Sequence, residues 1–230
     1  MHYLIPPIFL KISVPMGIHY WHEYIHDAFY HIYNRSSNDR NIFTNKWGYN
    51  FFLDKYQHYF SLYFDTYAYC LLPNHYHFLV KVKNEKEILP YLESMERTKA
   101  INLYLRGQDS INSLIEDQFR RFHSSYAIKH NIKNRTRGQL FVNRHKRVVQ
   151  DTTAKIEYLL CYIHHNPIHH NFHTNFTDWP YSSYLDYLNE DNRIIDVEAG
   201  LNIMGGFDRF LMIHDQFKFE KFRDIEKIGN

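Results

Sequence analysis

Apolar residues recur along this chain with two different periods, and the switches between them predict the order of its elements. The segment AFYHIYNRS (28–36) alternates apolar and polar residues, as a half-buried strand does. In NKWGYNFFLDKYQHYF (45–60) the bulky residues recur at near-helical spacing, which predicts a helix. Two further strands follow at 62–73 and 75–82, with a kink or tight turn at Pro73.

The second half of the pattern contains mostly helices. It predicts helices at 86–107 and 110–130, a strand at 138–150 and a helix at 152–167. Gly107 stands at a helix stop, Ser110 at a helix N-cap, and Pro167 predicts the end of the last helix. This order predicts an α+β fold, best described as a ferredoxin-like or RRM-like antiparallel sheet with helices on one face.

Length and composition indicate how many domains the chain forms and in which cellular compartment it works. A chain of 230 residues can bury one good core, so we expect one main domain. Cys70 and Cys161 lie in apolar segments without paired spacing, which predicts reduced thiols in a cytoplasmic protein, with a disulfide as the alternative. No apolar run approaches the 18 or so residues of a membrane span, so we expect a soluble, unexported protein with no membrane partner.

The formal net charge is only +2, but the charge is unevenly distributed. The stretch 118–150 contains nine cations interleaved with aromatic residues and no Asp or Glu. Cations neutralise phosphates and aromatic rings stack on unpaired bases, so the stretch predicts DNA binding, whereas a solvated helix face followed by an edge strand is the alternative. The nine cations are Arg120, Arg121, Lys129, Lys133, Arg135, Arg137, Arg144, Lys146 and Arg147.

Candidate chemistry begins with the pair His75 and His77. Alternate residues of a strand share a face, so these imidazoles should emerge roughly 7 Å apart and could share a metal ion. With 17 histidines in the chain, roughly one such pair is expected by chance. Tyr162 and Asn166 lie at i and i+4 of a predicted helix and share a face. A tyrosine beside a metal site is either a buried structural residue or a nucleophile.

A second histidine cluster occupies HHNPIHHNFH (164–173), with five histidines in ten residues. Pro167 interrupts the regular spacing that a metal site would need. We therefore interpret this stretch as a solvated helix end and loop.

Several motifs together resemble a known family. In order along the chain they are FYHIYNRSSNDRNIF, YCLLPNHYHFLV, GQLFVNRHKR, YIHHNP and DWPYSSY. They resemble the REP-associated tyrosine transposases and their relatives, the HUH single-strand DNA transposases with one catalytic tyrosine. The resemblance covers about 28–187, which we expect to be an HUH catalytic domain, preceded by a leader (1–27) and followed by an extension (188–230).

The resemblance implies roles for four residues. His75 and His77 match the HUH histidines that bind a divalent metal, Mg²⁺ or Mn²⁺. Tyr162 matches the nucleophile, and Asn166 matches a position that can supply a third, oxygen ligand. In the family the residue between the histidines is usually aliphatic; Tyr76 replaces it and should point into the core.

The function implied is a metal-dependent single-strand DNA endonuclease and strand transferase that works through a 5′-phosphotyrosine. Its DNA would be single-stranded, a hairpin or a repeat, and the protein a monomer or homodimer. Two alternatives stay open. One is a catalytically silent DNA-binding module of the same fold. The other is a phosphoesterase in which metal-bound water attacks and Tyr162 only orients the substrate.

Overall fold

A computed structural model describes residues 19–191 and 193–218. Its centre is one four-stranded sheet in the order β2-β3-β1-β4, in which every neighbouring pair is antiparallel. The strands are β1 (Phe29–Arg35), β2 (Phe64–Leu72), β3 (His75–Val82) and β4 (Lys146–Gln150). Because β1 and β2 are parallel with β3 between them, the topology is the ferredoxin-like split βαβ arrangement. The predicted α+β fold class is confirmed.

Eight α-helices surround this sheet in the described chain. They are α1 (Lys46–Phe60), α2 (Glu85–Ser94), α3 (Lys99–Leu105), α4 (Ile111–Asn134), α5 (Thr153–His169), α6 (Tyr184–Asn189), α7 (Val197–Met204) and α8 (Phe207–Asp215). Side-chain N-caps start several of them, and the expected cap Ser110 accepts a hydrogen bond from the Ser113 backbone N–H. Thr152 caps α5 in the same way.

Helices α1 and α4 pack against each other and against one face of the sheet. The Phe52 ring lies 5.1 Å from that of Tyr76, and the Tyr56 ring stacks on Phe78 at 4.0 Å. The sequence prediction placed helices on one face only, and α5 is the exception. It packs against the opposite face, where the Tyr162 ring approaches His77.

Two predicted elements are shorter in the structure than in the sequence pattern. The helix predicted at 86–107 is two helices, because the chain is not helical at 95–98 and Thr98 caps a new helix by accepting from the Ile101 N–H. The strand predicted at 138–150 pairs only over its last five residues. Its first part runs beside the end of β1, with Phe141 bridged to Ser36.

The predicted end of α5 at Pro167 is wrong by one half-turn. Proline removes only one backbone donor, and its fixed φ is compatible with helix, so α5 continues to His169. The N–H of His170 still reaches the carbonyl of Asn166 at 3.0 Å. The continuation places residues 162, 166 and 170 on one side of the helix.

Part of both predicted terminal segments packs onto the main domain. Tyr24, in the predicted leader, is 1% exposed and its hydroxyl is 3.0 Å from His145 Nε2. The predicted boundary at residue 187 falls inside α6, and the following α7 packs against α5 and β2. Residues 1–18 and 219–230 of the predicted leader and extension lie outside the described residues. Among the described helices, none has the length and apolar character to cross a membrane.

Candidate active site

The register of β1 against β3 builds one polar face at the centre of the sheet. Tyr33 lies directly opposite His77, and His31 opposite Leu79, so His31, Tyr33, His75 and His77 share a face. The ring centroids of His75 and His77 are 5.2 Å apart. The expectation that the two histidines emerge together is confirmed.

Hydrogen bonding leaves the same nitrogen open on both histidines. His75 Nδ1 donates to Asn74 Oδ1 at 2.7 Å, and His77 Nδ1 is 2.9 Å from His31 Nε2. The Nε2 atoms of His75 and His77 are both buried without a hydrogen-bond partner. Buried polar atoms are nearly always bonded, so two nitrogens without partners on neighbouring rings are candidates for metal binding.

The electrostatics of this face keep the rings neutral. Burial, together with smaller contributions from the nearby His170, His169 and Arg35, lowers the pKa of His75 to about 3. Burial also lowers the pKa of His77 well below its usual value, with smaller contributions from its histidine neighbours. A neutral imidazole is the form that binds a metal ion.

Helix α5 brings Tyr162 and Asn166 to the same face. The buried Tyr162 ring is edge-on to His77 and His31, with ring centroids 6.1 and 6.2 Å apart. Asn166 Nδ2 donates to the Tyr162 carbonyl at 2.8 Å, whereas its Oδ1 is buried without a hydrogen-bond partner. An orphan amide oxygen is a further candidate donor to a metal ion.

His170 joins this group, contrary to the interpretation of 164–173 as solvated helix end and loop. Its ring centroid lies 4.4 Å from that of His75. One ligand nitrogen from each of His75, His77 and His170 lies within 4.8 Å of the others, so the three could hold a metal ion. The same interpretation also fails for His164 and His165, which are 0% and 4% exposed. The error follows from the wrong helix end at Pro167.

Besides Tyr162, three tyrosines close to these histidines in the sequence or in space are candidate nucleophiles. Tyr76 points into the core as expected, with its hydroxyl 2.8 Å from His123 Nε2 on the α4 face of the sheet. Tyr158 stacks beside Tyr162, one turn earlier on α5. Sequence reasoning missed Tyr33, which stacks on His77, and burial raises the pKa of Tyr33. Only the alternation of β1 could have indicated it.

The basic residues of 118–150 do not form one continuous surface. Those on α4 lie across the sheet from Tyr162, because α4 packs with α1. Four of the nine form ion pairs with acidic residues just before the stretch: Arg120 and Arg121 with Asp117, and Arg144 and Arg147 with Glu116. Lys129, Lys133, Arg135 and Arg137 are exposed at the end of α4 and beyond.

The predicted DNA contact by Arg147 is wrong for this structure. Its side chain is 0% exposed and packs over the Tyr24 ring with the guanidinium carbon 4.6 Å from the ring centroid. It bonds to Glu116, to Asn112 and to the His22 carbonyl. Successive side chains of a β-strand point to opposite faces, so Lys146 lies on the face that carries the histidines and Arg147 points into the core.

Two cations do lie on the same sheet face as the histidines. Lys146 is opposite Tyr33 on β4, and its Nζ is 5.7 Å from the centre of that ring. Arg35 is opposite His75 and exposed. The Arg137 carbonyl accepts from Arg40, and the Val142 N–H donates to the Arg35 carbonyl. Arg35 was missed because it precedes the basic stretch.

Comparisons with known proteins agree with this architecture. No protein-family model matches the chain, and no curated protein matches it. Among solved structures, the chain is similar to a REP-associated tyrosine transposase bound to a REP hairpin, with a TM-score of 0.51 and 16% sequence identity. The match covers 79% of this chain and 90% of that one. At this identity the likeness shows that the two proteins share their fold.

Proposed function

We propose that this protein nicks single-stranded DNA and transfers the cut strand through a covalent bond to Tyr162. The observation that carries the proposal is the packing of the Tyr162 ring against His77, whose buried Nε2 has no hydrogen-bond partner. A tyrosine beside two imidazoles that can bind a metal ion is suited to nucleophilic attack on a phosphate, because the ion would stabilise the developing charge. The likeness to a hairpin-bound transposase supports the same reaction class.

In the proposed reaction the Tyr162 oxygen loses its proton and attacks the phosphorus of a DNA phosphodiester. The bond from phosphorus to the 3′ oxygen breaks, the leaving oxygen gains a proton, and the DNA keeps a 5′-phosphotyrosine link. A second 3′-hydroxyl can attack this link and rejoin strands without ATP, because the ester retains the energy of the broken bond. Both strands must then be held in line with Tyr162.

The chain holds residues that fit a divalent cofactor, which we propose to be Mg²⁺ or Mn²⁺. His75 and His77 would bind it through their orphan Nε2 atoms, and Asn166 through its orphan Oδ1. When bound, such an ion polarises a phosphate oxygen and stabilises developing negative charge. Mn²⁺ should support activity in vitro better than Mg²⁺, since imidazole is a poor ligand for Mg²⁺.

We propose that single-stranded or hairpin DNA crosses the sheet face that carries the histidines. Lys146 and Arg35 lie on that face. The cations of α4 would contact only DNA that extends around the edge of the sheet. Their ion pairs with Asp117 reduce the charge available to phosphates.

We also propose that one chain carries a complete site and that it acts in the cytoplasm. Tyr162 contacts His77 of the same chain, so the monomer suffices for chemistry, although a homodimer could form for other reasons. Cys70 and Cys161 are buried, free thiols, as a reducing compartment keeps them.

Covalent capture tests the proposed chemistry. Wild type and Tyr162→Phe are incubated with labelled hairpin oligonucleotides from the DNA that flanks the gene, with Mn²⁺ or with EDTA, and separated on a denaturing gel. Tyr158→Phe and Tyr33→Phe are the matched controls, because Tyr158 stacks beside Tyr162 and Tyr33 stacks on His77. We expect protein-linked label in wild type and in both controls, and none in Tyr162→Phe or in EDTA.

Each contrary result would support a different mechanism. Nicked DNA without linked label would mean that water attacks, and the proposal for Tyr162 would be wrong. Linked label that survives in Tyr162→Phe but not in Tyr33→Phe would move the nucleophile to β1. DNA bound but never cut on any flank would favour the catalytically silent module.

A further inference from the structure

We infer that His170 is a third imidazole ligand, so that the site binds a transition ion such as Zn²⁺ or Co²⁺ more tightly than Mg²⁺. The inference deepens the proposed function, on whose metal pair it rests. It assigns a residue to the site that the sequence motifs did not include, and it changes which ion the site selects.

The first argument is the convergence of three ligand nitrogens. One nitrogen each from His75, His77 and His170 lies within 4.8 Å of the other two. The δ nitrogens of His75 and His77 already have partners, Asn74 and His31. Their ε nitrogens are therefore the atoms that can bind a metal ion, and both are buried without a hydrogen-bond partner.

The second argument is the freedom of the His170 ring to close on an ion. A tetrahedral ion with metal to nitrogen distances of about 2.0–2.1 Å holds its nitrogen donors roughly 3.4 Å apart. The backbone of His170 is fixed at the end of α5 by its bond to the Asn166 carbonyl. Among the described residues, no hydrogen bond holds its exposed ring, which rests edge-on against His75. Rotation of this side chain can bring its nitrogen closer to those of His75 and His77.

The third argument is the chemistry of the donor set. The cluster consists of three histidines and contains no carboxylate. Mg²⁺ prefers oxygen ligands and retains its waters, whereas imidazole suits Zn²⁺ and its neighbours in the first transition row. In this inference His170 takes the place that was proposed above for Asn166, so three protein ligands leave a tetrahedral ion one open position, the pattern of catalytic rather than structural zinc sites. A phosphate oxygen could take that position.

The test is a metal titration of the full chain without DNA. Metal-free protein is titrated with Co²⁺ while the visible absorption of the bound ion is recorded, and Zn²⁺, Mn²⁺ or Mg²⁺ is then added in competition. We expect one Co²⁺ per chain, displaced by Zn²⁺ but retained in a roughly hundredfold excess of Mg²⁺. His170→Ala should weaken Co²⁺ binding at least about tenfold.

His173→Ala is the matched control, because it removes a histidine from the same loop that bonds instead to the Asn175 carbonyl. It should bind Co²⁺ as wild type does. His170 is exposed, so its loss should leave the thermal unfolding curve unchanged. Co²⁺ binding that is equal in wild type and His170→Ala, or that Mg²⁺ displaces at equal concentration, would overturn the inference.

The two proposals fail in separate ways. If Co²⁺ binding requires His170 but no DNA becomes linked to Tyr162, the metal assignment stands and the proposed function falls. If DNA is linked in Mg²⁺ while His170→Ala changes neither metal affinity nor competition, the function stands and the third ligand is wrong.

Discussion

Two histidine clusters meet at α5, which contributes His164 and His165 to one and ends just before His170 of the other. The clusters differ in whether their buried nitrogens have hydrogen-bond partners. We call them the open cluster and the closed cluster. The open cluster is His31, His75, His77 and His170, and the closed cluster is His164, His165, His214 and Ser183. In the open cluster two buried nitrogens lack any partner. In the closed cluster, every nitrogen of His164 and His214 has one.

The closed cluster defines a single arrangement of protons. His214 Nδ1 donates to the Phe210 carbonyl at 2.7 Å, so its Nε2 accepts from His164 Nδ1 at 2.8 Å. His164 Nε2 then accepts from the Ser183 hydroxyl at 2.8 Å. Ser183 also accepts from the Tyr69 N–H, so this series of hydrogen bonds joins α8 and α5 to β2. A satisfied buried network of this kind stabilises structure.

The comparison shows that histidine content alone does not locate a functional site. Each cluster contains buried histidines, and burial lowers the pKa in both, for example to about 3 in His214 and in His31. What differs is whether a buried nitrogen has a partner. An orphan nitrogen costs free energy unless something outside the chain binds it.

Replacing His77 with alanine is the largest expected effect on activity. The substitution removes one of two orphan nitrogens, so covalent DNA adduct should fall by at least about a thousandfold, which corresponds to roughly 4 kcal/mol. Stability in the absence of metal should fall by only about 1–2 kcal/mol, because the change breaks one buried hydrogen bond, to His31, and also removes a buried nitrogen that has no partner. Gel quantification of adduct together with urea unfolding checks both. Adduct retained within tenfold would remove His77 from the site.

His164→Ala should show the reverse pattern. The change leaves a cavity and strips partners from His214 and Ser183, both 1% exposed or less, so we expect a loss of about 3 kcal/mol in the free energy of unfolding. Adduct formed per folded molecule should stay within a fewfold of wild type. A variant that is as stable as wild type but inactive would contradict the division into open and closed clusters.

Acid should destabilise the protein because buried histidines resist protonation. Burial lowers the pKa of His214 to about 3 and lowers that of His145 well below its usual value. The unfolded chain therefore takes up protons first, so stability is complete above about pH 6.5 and decreases as the pH falls below it. Each group should contribute about 1.4 kcal/mol per pH unit.

Urea unfolding of metal-free protein between about pH 8 and pH 5 measures this slope. His58→Gln is the control, because His58 is exposed at the end of α1 and should leave the slope unchanged. A stability that is flat over this range would mean that these histidines are accessible to solvent in the folded protein.

His31→Phe should weaken metal binding without removing a ligand. His31 bonds to His77 Nδ1 and thereby fixes which nitrogen of His77 faces the ligand position. Phenylalanine preserves the stack on Tyr33 but removes the bond, so we expect metal affinity to fall about 10–100-fold. Adduct should recover at saturating metal. No recovery at any metal concentration would indicate a direct part for His31 in the reaction.

The smallest effect concerns the cations, where a cation on the histidine face can be compared with one across the sheet. Lys146→Ala should reduce the salt dependence of single-stranded DNA binding by about 0.7 in the slope of log K against log salt. Arg120→Ala should change it less, because Arg120 is paired with Asp117 on a helix across the sheet. Equal slopes for the two variants would mean that DNA does not follow the histidine face.

The sequence by itself determined the local pieces of this protein. Two-residue alternation placed His75 and His77 on one face and Tyr76 in the core, and four-residue spacing put Tyr162 beside Asn166. The helix cap at Ser110 was predictable because its side chain bonds only a few residues away. These features depend on backbone geometry that the next few residues set.

Only the tertiary structure decided which distant groups meet. His31 reaches His77 across two strands, and His170 reaches His75 because α5 passes through Pro167. Arg147 can be buried because Glu116, 31 residues earlier in the chain, accepts a hydrogen bond from its guanidinium. Periodicity shows where a side chain points but not what it meets there, because contacts between remote segments depend on how the whole core packs.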